Sequence, residues 1–140
     1  MKAFASPRSG QIVVMPDPLQ WTSGIEFGIQ TLGHLGRSGW EFTCYLADRG
    51  PMLEAVVFAI MEQGLKARVH HVRDPHRRLP QATVALFPRV CPGEKETVQL
   101  ALQMGKLVLC SDPSLKFEHA QFYSFERRNW RQPASILSAL

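Results

Sequence analysis

The residues best able to do chemistry fall into three groups. The first is Asp17, Ser23 and Gly24, in and after a Pro-containing segment. The second is Arg89 with Gly93, Glu94, Lys95 and Glu96. A guanidinium, an ammonium and a glycine at a helix start are what a phosphate group needs, because helix N-termini present unpaired N–H donors. Glu94 and Glu96 admit two roles there: accepting ribose hydroxyls, or stabilising the helix dipole without any ligand. The third group is a basic cluster of Arg68, His70, His71, Arg73, His76, Arg77 and Arg78. A solvated loop is its plainest role, followed by phosphate or nucleotide contact, then nucleic acid. No aromatic residues interleave it, as single-strand binders require. His70 and His71 would point to opposite faces of a strand and make a poor metal pair.

Other chemistries are missing. The sequence contains no Ser-His-Asp or Cys-His arrangement, no phosphate-loop signature and no Gly-x-Gly-x-x-Gly. Cys44, Cys91 and Cys110 form no Cys-x-x-Cys pair, and Cys44 and Cys110 sit in apolar runs, as buried free thiols do. No catalytic residue, metal or cofactor is expected of this chain.

Alternating strands and helices must position these groups. Gln11–Pro16 reads as a buried strand. Ser23 and Glu26 are spaced as a capping box ahead of a helix carrying Ile25, Ile29, Leu32 and Leu35. A second strand spans Glu41–Leu46. A second helix carries Leu53, Val56, Val57 and Ile60, with Pro51 at its first position and Gly64 as its left-handed cap. Arg68–Val72 is a weaker third strand, and Arg73–Pro80 a basic loop or single helical turn. Thr83–Phe87 is the fourth strand. A helix over Glu94–Met104, beginning near Gly93, leads to a fifth strand at Leu107–Cys110. Gln121–Phe125 suggests an edge strand, and a final helix starts near Pro133. Trp21, Trp40 and Trp130 are expected to be packing residues.

Such alternation predicts an α/β, doubly wound, mostly parallel sheet of five or six strands with helices on both faces. The whole chain, residues 1–140, suits one Rossmann-like domain. Its 45% hydrophobic and 20% charged residues exclude a disordered chain. The net charge of +4 favours anionic partners only mildly. No apolar run approaches the roughly 20 residues that span a bilayer, and Met1–Pro7 lacks a signal-peptide core, so a cytoplasmic protein is expected.

Four passages resemble the C-terminal, donor-binding domain of GT-B glycosyltransferases of the family 4 (group 1) kind. Gly24-Ile25 is similar to that family's Lys-Gly helix start, and Leu46–Leu53 to its strand ending in Gly-x-Gly-Pro-Leu. Val84–Arg89 resembles its strand ending in Pro-Ser, and Val98–Asp112 its helix–Gly–strand segment closing in Ser-Asp. The tail, Arg128–Leu140, is similar to its last helix. The resemblance implies a nucleotide sugar as ligand, and an acceptor-binding domain or partner chain for catalysis. The donor-site motifs are degenerate. Ser23 stands at the family's lysine, and Pro92 and Leu100 stand at its paired glutamates. Two functions follow: a nucleotide-sugar-binding domain that is not catalytic alone, or a non-catalytic transferase-like module for protein contact or scaffolding.

Topology places the site independently. In an open α/β sheet, ligands bind beyond the strand C-termini where the winding reverses. That crevice should lie between Asp17–Ser23 and Arg89–Lys95, with Arg89 as the phosphate-gripping cation and Gly93 allowing close approach.

Overall fold

A computed structural model describes residues 10–139. The expectation for Met1–Pro7 lies outside these residues. Six parallel strands form one sheet in the order β3-β2-β1-β4-β5-β6. They are β1 (Gln11–Val14), β2 (Phe42–Ala47), β3 (Val69–Val72), β4 (Val84–Phe87), β5 (Leu107–Cys110) and β6 (Phe122–Ser124). The helices are α1 (Ile25–Arg37), α2 (Leu53–Glu62), α3 (Glu96–Gln103) and α4 (Arg131–Ala139). Short 3-10 segments occupy Trp21–Ser23 and Pro75–Gln81. The second is the β3–β4 crossover, where the sequence predicts a loop or one helical turn.

The sheet buries both faces because its central strands are apolar throughout. Side chains alternate along a strand, so each strand feeds two cores. Val13, Val84, Leu86, Leu107 and Leu109 meet α1, α2 and α4 on one side. Val14, Ala85, Phe87, Val108 and Cys110 meet α3 and the Pro75–Gln81 segment on the other. The chain is therefore doubly wound, with β1 and β4 adjacent at the reversal. Burial pushes the Cys44 thiol far above its ordinary range and that of Cys110 up to about 11, as inert core thiols require.

Three local expectations are corrected. Ser23 makes no capping box. It ends a 3-10 turn, and Gly24 takes the cap position of α1 in a left-handed conformation, φ 60°, without a side-chain cap bond. A β-carbon on Gly24 would overlap the carbonyl oxygen of Pro88, so close approach of the β1 and β4 loops selects glycine there. Pro51 lies in the turn before α2 rather than on its first position. Of the three tryptophans, Trp40 is buried and Trp130 half-buried, but Trp21 is 61% exposed at the end of the β1 loop. Among the described residues no helix is long and apolar enough to cross a membrane.

Candidate functional site

The reversal between β1 and β4 brings the two expected loops together. Val90 and Cys91 donate backbone bonds of 2.9 and 3.3 Å to the carbonyl of Thr22. Between the loops lies a cavity of about 150 Å³ lined by Asp17, Gln20, Thr22, Ser23, Gly93 and Glu94, among others. Asp17, Ser23, Arg89, Gly93 and Glu94 thus converge, while Gly24 packs against Pro88 and does not line the cavity. Lys95 and Glu96 do not line the cavity; both are exposed at the start of α3.

Arg89 is not the free cation expected. It is 3% exposed and committed to two carboxylates. Its Nε and one terminal nitrogen donate to the two oxygens of Asp17 at 2.8 and 3.1 Å. The other terminal nitrogen donates to Asp112 Oδ2 at 3.2 Å. Its guanidinium lies 5.2 Å from the Phe87 ring centre, and the hydroxyl of Ser111 donates to its carbonyl at 2.7 Å. Burial acts against the charge, but the hydrogen bonds to Asp17 and Asp112 and the Asp17 charge outweigh it and raise the Arg89 pKa. The side chain is a fixed cation inside its own cage.

Asp112 completes the cage, and its role was not anticipated. Burial pushes its carboxyl up. The Ser114 hydroxyl, the Gly93 and Ser114 amides and Arg89 pull harder, and hold it below the ordinary value. The Gly93 amide donates to Asp112 at 2.9 Å and is not offered to a ligand. A β-carbon on Gly93 would press on the Arg89 guanidinium at 3.3 Å, so this glycine makes room for arginine rather than for phosphate. The expected helix start near Gly93 is also displaced: α3 begins at Glu96, and Gly93–Lys95 is loop. One signal could have revealed the cage. Asp17, Arg89 and Asp112 each stand a few residues past the end of β1, β4 and β5, three neighbouring strands.

The basic cluster builds a second hollow at the same end of the sheet. Arg49, Val72, Arg73, Asp74, Arg77 and Arg78 line an open groove of about 700 Å³ beyond β2 and β3. Arg68 stays apart, donating to the Trp40 carbonyl at 2.9 Å. His71 Nδ1 sits 2.9 Å from the Ala47 carbonyl, and the His70 ring lies beside Tyr45. Among the described residues no group of His, Cys, Asp and Glu could hold a metal.

No known sequence family and no curated protein matches this chain. Solved structures do. The C-terminal domain of a group 1 glycosyl transferase (LpcC) from Francisella tularensis superposes with a TM-score of 0.76 at 13% identity, covering 93% of this chain and 74% of that one. Such a score over nearly the whole chain fixes the architecture. This is the fold of a glycosyltransferase C-terminal domain. Sucrose-phosphate synthase from Thermosynechococcus elongatus matches with a TM-score of 0.78 at 14% identity, over 95% of this chain and 36% of that one. A glycosyltransferase from Rickettsia africae matches at 0.75 and 16%, over 92% and 37%. The chain thus spans little more than a third of these two enzymes, within their C-terminal part.

Proposed function

We propose that this chain is a glycosyltransferase-type C-terminal domain that transfers no sugar on its own and whose donor crevice is closed by its own ions. It acts as a module for protein contact or scaffolding. The observation that carries this is Arg89, gripped by Asp17 on one side and Asp112 on the other. Those two carboxylates outnumber the one guanidinium, and Glu94 adds a third at the rim. An entering diphosphate would meet negative charge and no free donor from Gly93. Ser23, Pro92 and Leu100, where the resembling family has lysine and two glutamates, support the same conclusion. The three free cysteines fit a reducing, cytoplasmic setting.

A second reading keeps weak nucleotide-sugar binding, completed by an acceptor-binding domain or partner chain. It is favoured by the polar wall of Gln20, Thr22 and Glu94 at the reversal, where this fold class binds ligands. A further structural neighbour, HepE from Anabaena, is described in complex with UDP and glucose (14% identity, TM-score 0.76, covering 96% of this chain and 39% of that one).

Amide chemical shifts during titration with UDP-glucose and other nucleoside diphosphate sugars separate the two. The closed crevice leaves Thr22–Gly24 and Gly93–Glu94 unmoved at millimolar ligand. Saturable shifts at those amides would overturn it in favour of donor binding.

A further inference from the structure

We infer that the hollow beyond β2 and β3 is a binding site for a compact ligand carrying two or more phosphate groups. The sequence brings its arginines together by register. Ala47 and Val72 pair across the parallel β2–β3 ladder, so Asp48, Arg49 and Arg73 leave the sheet side by side. Asp74 then accepts a bond from the His76 amide at 3.2 Å and opens the 3-10 segment that carries Arg77 and Arg78. The Arg78 guanidinium rests 4.5 Å from the centre of the Tyr45 ring, which fixes its direction.

Charge in this hollow is not balanced. Arg49 contacts Asp48 at 3.1 Å, and Arg77 contacts Asp74 at 3.5 Å. Asp74 is also shared with His76, at 3.4 Å. Arg73 and Arg78 have no carboxylate within 4 Å among the described residues. Four guanidiniums therefore face two carboxylates. Basic residues that only protect an edge strand are spread along the strand, pointing to solvent. These converge instead on one concavity, where Asp48 and Asp74 offset part of the charge and a bound anion would offset the rest.

The lining selects the ligand class. A volume of about 700 Å³ lies in the range of small-molecule sites. Among the described residues Val72 is the lone aliphatic one of the wall, so a hydrophobic body gains little there. Among the described residues the wall offers no aromatic ring on which a nucleic-acid base could stack. What it offers is planar guanidinium forks, which match phosphate oxygens two at a time. The inference is independent of the closed crevice, since the two hollows share no lining residue.

Tripolyphosphate and orthophosphate serve as probes at low ionic strength, followed by amide shifts and calorimetry. Tripolyphosphate should bind at least tenfold more tightly, with shifts at Asp48–Gly50 and Arg73–Arg78 and none at Thr22–Gly24. The double variant R49A/R73A should weaken it tenfold or more, and R49K/R73K should restore only part of that loss, because an ammonium lacks the fork. Both side chains are exposed and away from the cores, and an unchanged denaturation curve confirms that the variants fold. Equal affinity for the two probes, silence at millimolar tripolyphosphate, or an affinity untouched by R49A/R73A would overturn the site. So would an RNA oligonucleotide or an anionic phospholipid vesicle that displaces tripolyphosphate at equal charge concentration.

Discussion

Of the hollows at the C-terminal end of the sheet, the one at the β1–β4 reversal and the one beyond β2 and β3 use arginine in opposite ways. At the β1–β4 reversal, Arg89 is buried and saturated by Asp17 and Asp112. Beyond β2 and β3, Arg77 is 86% and Arg49 68% exposed, each with one loose carboxylate neighbour. In the first hollow the charge belongs to the structure. Removing one partner of a buried ion pair strands the other, whereas an exposed pair is screened by water and contributes little. The fold fixes where a ligand could sit, and the local charge decides whether that place is open. Here the arginine at the fold's usual place is taken up by the protein's own carboxylates, while those beyond β2 and β3 are exposed.

The sharpest way to break this contrast is Arg89→Ala. It leaves Asp17 and Asp112 buried without their cation, and should cost about 3–5 kcal/mol in urea denaturation. A loss below about 1 kcal/mol would mean that water already reaches the cage and that the crevice is open. Gly24→Ala is next. It forces a left-handed backbone on an L residue and drives a β-carbon into the Pro88 carbonyl, so a loss of about 2–3 kcal/mol is expected. Unchanged stability would show that the β1 and β4 loops separate easily.

Asp112→Asn tests the cage through pH. It keeps the shape but removes charge-assisted bonds, and should cost about 1–3 kcal/mol near neutrality. The sign follows from its lowered pKa. A carboxyl held below its ordinary 3.8 when folded contributes stability above that value and loses it as pH falls further. The gap between wild type and variant should therefore narrow below about pH 4. A gap constant from pH 7 to pH 3 would show that the carboxylate charge plays no part.

The sheet was legible because its signal is redundant. β5 is an unbroken apolar run between Lys106 and Ser111, and the strand spans that same run, Leu107–Cys110. The reversal follows from strand order, and Asp17, Ser23 and Arg89 all line the crevice there. The state of that crevice was not legible. Whether Arg89 is free depends on the side-chain geometry of Asp17, which turns both carboxylate oxygens onto the guanidinium, and on Asp112, 23 residues from Arg89 in sequence, in a third loop that the β1–β4 argument left out. The cap of α1 failed for a related reason. Ser23 and Glu26 satisfy the local pattern, but a tertiary contact between Gly24 and Pro88 overrides it. Trp21 was misplaced because a tryptophan's preference for burial is an average, and a loop tip can leave it exposed.

The smallest effect sharpens the contrast most. Arg77→Ala removes an exposed pair three residues apart, at 3.5 Å, from a side chain 86% exposed. Ordering two such groups costs entropy that nearly cancels their screened attraction, so stability should change by less than about 0.5 kcal/mol. Asp74→Ala looks like the other half of the same pair but should behave differently. Its Oδ1 also caps the 3-10 segment by accepting from the His76 amide, a role worth roughly 1 kcal/mol at a helix start. Thermal melts of the two variants at low and high salt separate the contributions. The Asp74→Ala loss should persist at high salt, because a cap is a local hydrogen bond, while the small Arg77→Ala effect should vanish. If Arg77→Ala alone costs more than about 1 kcal/mol, that arginine is a structural tie like Arg89, and the second hollow is held shut by the same means as the first.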